Sequence, residues 1–183
     1  MRKLKLQMQI TVDGFSTGPE NQLDWMTVEM DEKLIALINH LTDTSDTILL
    51  GRKMTPGFIQ YWEGVQRSSP EYEFAQKMIR TAKVVFSKTI KSIEGQNVRV
   101  ENAPLVDAVN QLKNQPGKDI LVYGGPEFVS ALIENRLIDE LNLFINPVAI
   151  GNGKRIFSKR TPLSLIGSVS YSSGIVVNTY RLA

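Results

Sequence analysis

The stretch Ile120-Leu121-Val122-Tyr123-Gly124-Gly125-Pro126-Glu127-Phe128 is an apolar run that breaks at a glycine pair and resumes as a helix. A buried strand that turns so sharply into a helix aims unbonded backbone N–H groups outward, at the positive end of the helix dipole. Glycine lets an anion approach that backbone without meeting a Cβ. The chemistry this suits is phosphate binding, and the alternative is a turn that only needs a positive φ. Two further apolar runs stop at residues of matching chemistry, Gly51-Arg52-Lys53 and Ser87-Lys88-Thr89. Gathered on one sheet edge, the three would supply a helix N-terminus for a pyrophosphate, with a guanidinium, an ammonium and a hydroxyl for a further phosphate. That set suits a dinucleotide carrying an extra 2′-phosphate. Taken singly, Arg52, Lys53 and Lys88 read as solvated charges at strand ends. The chain contains no G-x-G-x-x-G, so the Rossmann fingerprint is absent.

Composition narrows the classes. A chain of 183 residues, 42% hydrophobic and 22% charged, fits one globular domain with a substantial core. A net charge of +2 implies no general affinity for nucleic acid or membrane, so any positive field must be local. With no cysteine and a single histidine, His40, disulfides and thiolate metal sites are excluded. No metal is expected. The basic N-terminus is not followed by an apolar signal core, and no run approaches membrane-spanning length. A cytoplasmic protein is the expectation.

The elements that must position these residues follow from periodicity. Leu4, Leu6, Met8, Ile10 and Val12 alternate with Lys5, Gln7, Gln9 and Thr11, the pattern of a strand with one buried face, ended by Asp13-Gly14. A polar loop from Ser16 to Asp24 leads to Trp25. Leu34, Ile35, Leu37, Ile38 and Leu41 recur at helical spacing. Thr47–Leu50 reads as a buried strand, Pro56–Tyr61 as a short helix, and Trp62-Glu63-Gly64 as a loop. Ser69-Pro70-Glu71 signals a helix running to about Thr81, followed by a strand over Val84–Ser87. A minimal strand at Val98–Val100, a helix through Leu105, Val109 and Leu112, the strand Ile120–Tyr123, the helix Glu127–Glu134 and the strand Glu140–Ile145 complete the alternation. Leu163–Tyr171 and Ile175–Arg181 form a C-terminal hairpin. Such alternation predicts an α/β three-layer sandwich on a mixed, mostly parallel sheet, with all of 1–183 in a single domain.

The order Thr11-Val12-Asp13-Gly14, Leu50-Gly51-Arg52-Lys53, Val85-Phe86-Ser87-Lys88, Val122-Tyr123-Gly124-Gly125, Ile138-Asp139-Glu140-Leu141 and Pro147 through Phe157 resembles the dihydrofolate reductase-like superfamily. Within it, the RibD C-terminal branch of pyrimidine reductases and their stand-alone relatives is the nearest match. The resemblance implies a sheet of about eight strands and NADPH-dependent hydride transfer to a heterocyclic small molecule. It points to the reductase type that acts on 5-amino-6-(5-phosphoribosylamino)uracil in riboflavin biosynthesis. Carried over by position, Gln9, Thr11, Asp13 and Gly14 would border the nicotinamide. Gly51, Arg52 and Lys53 would hold phosphates, Ser87 and Lys88 would face the 2′-phosphate, and Gly124, Gly125, Glu127 and Phe128 would form the pyrophosphate corner. The resemblance also implies a homodimer, and it casts Gly151–Phe157 as a structural signature.

This chain departs from two patterns. The position that carries an acid in the folate enzymes, on a helix shortly after a tryptophan, falls near Met30, between Glu29 and Asp31. A shift of one helical residue turns a side chain by about 100°, so neither neighbour substitutes automatically. The chain also cannot hold the zinc deaminase domain of the bifunctional riboflavin enzymes, having no cysteine. Asp13, Asp24 and Trp25 are the candidate catalytic residues, with Trp25 and Phe58 as substrate contacts. Arg67 or Lys154-Arg155 could receive a substrate phosphate. Dihydrofolate reduction, or NADPH binding without turnover, are the alternatives.

Overall fold

The computed structural model describes residues 1–27 and 29–183. Five helices and eight strands alternate as β1 (Leu4–Thr11), α1 (Glu32–Asp43), β2 (Ser45–Gly51), α2 (Thr55–Gly64), α3 (Tyr72–Arg80), β3 (Ala82–Phe86), β4 (Val98–Glu101), α4 (Leu105–Asn114), β5 (Asp119–Gly124), α5 (Pro126–Glu134), β6 (Glu140–Asn146), β7 (Leu163–Ser170) and β8 (Val176–Leu182). The strands form one sheet in the order β4-β3-β2-β5-β1-β6-β8-β7. All neighbours are parallel except β6 with β8 and β7 with β8. The expected mixed, mostly parallel sheet is present, with its antiparallel hairpin at one edge.

Strand alternation sorts the side chains into two covered faces. On one face Leu4, Leu6, Met8 and Ile10 of β1 pack with Val122 of β5, Val109 and Leu112 of α4, and Val129 and Leu132 of α5. On the other, α1 supplies Leu34 and Leu41 against Leu121 and Phe144, while Met78 of α3 covers Ile48, Leu50 and Val85. Three layers result.

β1 differs from expectation in an informative way. Its polar alternates are buried too: Lys5, Gln7 and Thr11 are each less than a tenth exposed. β1 lies at the middle of the sheet, so α1 covers the face that a period-two pattern assigns to water. Lys5 tolerates this because its ammonium meets Asp119 at 2.8 Å. The strand also stops at Thr11, leaving Val12 exposed.

Helix boundaries moved for local reasons. α2 runs through Trp62-Glu63-Gly64 rather than ending at Tyr61. Trp62, one turn beyond Phe58, closes an aromatic cluster with Phe58 (6.2 Å) and with Phe74 of α3 (5.3 Å). α3 begins at Tyr72 rather than Ser69, whose hydroxyl accepts the Glu71 N–H (3.2 Å) in the preceding turn.

Phe144 is the largest fully buried side chain, sealed between β6 and α1. Phe144→Ala is expected to cost about 3–5 kcal/mol in urea unfolding, with an unchanged denaturant slope. A loss below about 1 kcal/mol would show that this face is not packed as described.

Candidate functional site

The C-terminal ends of β3, β2 and β5 lie side by side, with Gly51 opposite Phe86 and Leu50 opposite Gly124. Gly51-Arg52, Ser87-Lys88 and Gly124-Gly125 therefore share one sheet edge, as ligand sites in open α/β sheets require. Gly51 is needed there for space. A Cβ built on it would stand 2.9 Å from Phe128 Cβ and 3.5 Å from both Gly124 O and Gly125 N. This contact seats α5 directly over β2.

Gly124 has φ +125, the peptide bond to Gly125 is cis, and Gly125 forms the N-cap of α5. The first bond back into the helix runs from Val129 N–H to Gly125 O (3.0 Å), so the Glu127 and Phe128 amides precede it. A Cβ on Gly125 would meet nothing within 4 Å, which leaves the approach to this backbone open.

The charged residues divide into two groups. Lys53 and Glu127 bond to each other (2.8 Å) with both side chains mostly exposed, so Lys53 is not an unpaired cation. Such a surface pair contributes little stability, but its lysine holds the Glu127 carboxyl below the usual range. Arg52 and Lys88 are exposed and make no hydrogen bond or ion pair among the described residues. Ser87 Oγ accepts the Thr89 and Ile90 amides (3.1 and 3.2 Å), which fixes the turn after β3. Phe128 stacks on Phe86 (5.3 Å, 27°), so its ring packs and only its amide faces the edge.

The other half of the site lies at the ends of β1 and β6. Thr11 Oγ1 donates to Asp13 (2.5 Å) and accepts the Phe15 amide (2.9 Å). Asp13 accepts the amides of Ile150 (3.2 Å) and Gly151 (2.8 Å). The Thr11 hydroxyl most of all, with these amides, lowers its pKa against the opposing effect of desolvation. An ionised acceptor of this kind anchors the loop that carries Ile150 and Gly151. Gly14 sits in the following turn at φ +85.

Asp24 and Trp25 line an open cleft of about 320 Å³ with Gly18, Pro19, Gln22, Ile150 and Asn152. Trp25 Nε1 donates to the Gln22 carbonyl (3.2 Å). Phe58 stands apart from that cleft, 5.7 Å from the Tyr123 ring in the α2–α3 aromatic cluster. Met30 packs against the α1 core, and Asp31 caps α1 through the Leu34 amide (2.9 Å) while also accepting from Ser172. Those bonds hold Asp31 below the usual carboxylate range, so neither residue takes the place of the folate-type acid. Lys154 Nζ bonds Asn21 (2.7 Å) and Arg155 lies over the Phe15 ring (4.5 Å), so both candidate phosphate-binding cations tie the 147–157 segment to the 15–21 loop. Arg67 is exposed.

Sequence reasoning missed Asn146, which is fully buried beside Thr11. It accepts the Thr27 amide (2.9 Å) and donates to Gln9 Oε1 (2.8 Å). The available signal was a polar residue ending an otherwise apolar strand. Also missed were Gln7 Oε1 and the Tyr123 hydroxyl, buried on the α1 face without partners among the described residues. The Thr42 hydroxyl beside Tyr123 donates instead to Ile38 O (2.9 Å), and burial pushes the phenol up to about 12. Among the described residues there is no cluster able to hold a metal, and no helix is long and apolar enough to cross a membrane.

The family described as RibD C-terminal domain matches residues 2–177. The chain belongs to this family. The Bacillus subtilis (strain 168) protein YyaP, itself uncharacterized, is 34% identical over 98% of this chain and 95% of its own length. Two solved structures share the fold. A Shewanella sp. PV-4 protein provisionally named for riboflavin biosynthesis superposes at TM-score 0.74, with 19% identity, covering 100% of this chain and 99% of that one. A pyrimidine reductase-like protein from Corynebacterium diphtheriae does so at 0.66, with 17% identity, covering 100% and 92%. The dihydrofolate reductase-like RibD architecture expected from the motifs is therefore the fold of this chain.

The Asp13 anchor gives a test. Its folded pKa lies below its unfolded value, so its contribution is fully present above about pH 4 and lost as pH falls through the folded value. Asp13→Asn should speed proteolytic cleavage within residues 17–25 at pH 7 and abolish the acid-dependent part of that cleavage. Equal cleavage of both proteins across the titration would contradict the anchor.

Proposed function

We propose that this chain is an NADPH-dependent reductase of the pyrimidine-reductase type, acting as a single domain on a heterocyclic small molecule. The observation that carries this is the Cβ-free approach of Gly51 to the Gly124-Gly125 corner. It leaves helix-terminal amides open beside an unpaired Arg52 and Lys88. The residues fit a dinucleotide phosphate. The α5 amides suit the pyrophosphate and Gly125 offers an open approach, while Arg52, Ser87 and Lys88 suit the 2′-phosphate. Gln9, Thr11 and Gly14 border the nicotinamide end.

Bound NADPH supplies the hydride; the protein's work is placement and electrostatics. Trp25 and Asp24 face the substrate side across the open cleft. Asp24 is exposed and has no hydrogen-bond partner among the described residues, which leaves it or an ordered water as the proton route. The family relationship supports the reductase class, and riboflavin-type pyrimidines are the first substrates to test. A cytoplasmic homodimer is the accompanying expectation.

Tryptophan fluorescence quenching by NADPH and NADH tests this reading. NADPH should bind at least about tenfold tighter. Arg52→Gln should weaken NADPH by about tenfold while leaving NADH nearly unchanged, the loss expected for one charge-assisted phosphate contact. Equal affinity for the two nucleotides would sink the assignment. Saturable NADPH binding with no oxidation across pyrimidine and dihydrofolate substrates would favour a binding protein without turnover.

A further inference from the structure

Asn146 is fully buried at the end of β6, and both ends of its amide are fixed by backbone groups. Its Oδ1 accepts the Thr27 N–H (2.9 Å), and its Nδ2 donates to the Phe144 carbonyl (3.1 Å). Exchanging O and N would set oxygen against oxygen and N–H against N–H, so only one orientation satisfies the surroundings. The same Nδ2 meets the side chain of Gln9 at 2.8 Å. A donor demands an acceptor, so Gln9 must turn Oε1 toward Asn146. Its Nε2 is then directed away, and it bonds to nothing among the described residues on a half-buried side chain.

Gln9 lies two residues before Thr11 on the same face of β1, at the edge where the 15–27 loop is pinned. Its orientation is thus inherited from the backbone of β6 through Asn146. We infer that Asn146 is a positioning residue that locks Gln9 as a hydrogen-bond donor. The site then requires a carbonyl oxygen, or an equivalent acceptor, on the ring system bound at the end of β1. This inference rests on the NADPH reading above. The acceptor can belong to the nicotinamide carboxamide or to a carbonyl of the substrate ring. A ligand group that only donates would leave the Gln9 NH2 facing another donor and is selected against.

The test uses two substitutions that invert the donor without changing shape. Gln9→Glu places a carboxylate oxygen where Nε2 stands. Asn146→Asp keeps the acceptor for Thr27 and sets its second oxygen against the Phe144 carbonyl, but it lets Gln9 turn its NH2 inward and present oxygen to the ligand. Thermal unfolding confirms that each variant folds, and Gln9→Glu, on a side chain less buried than Asn146, serves if Asn146→Asp does not. The probes are NADPH, its thionicotinamide analogue in which sulfur replaces the carboxamide oxygen, and 5,6-diaminouracil titrated with and without NADPH.

If the acceptor is the carboxamide, both variants should lose about tenfold in NADPH affinity, and the wild-type preference for oxygen over sulfur should collapse. If it is on the substrate, NADPH affinity is kept and diaminouracil binding falls by a similar factor. Folded variants that bind every probe as wild type does would overturn the inference. So would a loss in Asn146→Asp that Gln9→Glu does not share. Wild-type protein that binds diaminouracil in a Gln9-dependent manner but not NADPH overturns the cofactor reading alone. Failure to bind either overturns both.

Discussion

The site depends on a contact that only a missing side chain permits. Where β2 ends, Gly51 brings its backbone against Gly124, Gly125 and the Phe128 Cβ, and a Cβ added there would stand only 2.9 Å from the last of these. Because α5 can sit that low, Phe128 reaches Phe86 and stacks on it, and the start of the helix comes to rest over the strand ends. The amides that precede the first helical bond are left at the surface, aligned with the helix dipole. A phosphate site of this kind needs no dedicated cation to exist. Arg52 and Lys88 add charge at its margin, and the proposed preference for NADPH rests on them.

The opposite end of the edge is organised by polar side chains that bind backbone. Asp13 holds Ile150 and Gly151, and Asn146 holds Thr27 and orients Gln9. Together they fasten two loops to the ends of β1 and β6, so the space between them is walled by fixed groups rather than mobile ones. The same bonding favours the ionised form of these carboxylates. Asp13 and Asp31 both accept several hydrogen bonds in their ionised form, which holds the proton off near neutral pH. Asp24, which lines the cleft, makes no such bonds among the described residues.

Much of this was legible in the chain because it is local. Strand and helix periodicities, the glycine pair and the basic strand ends located the sheet edge and the glycine corner where α5 begins. What was not legible depends on partners far away in sequence. The alternation in β1 could not reveal that α1 covers its polar side, which buries Lys5 and Gln7. α2 gained a turn because Trp62 meets Phe74 of another helix. Lys53, expected at a phosphate, also bonds Glu127 across the corner, and Asn146 pairs with Gln9, 137 residues earlier. Spacing within a single strand carries no record of either pairing.

Calorimetric titration of NADPH into the wild-type protein and Gly51→Ala tests the corner most directly, with circular dichroism to confirm that both are folded. A Cβ at this position must push α5 away from β2, so the account predicts a folded variant whose NADPH affinity falls by about tenfold or more. A folded Gly51→Ala protein that binds NADPH as tightly as wild type would contradict it.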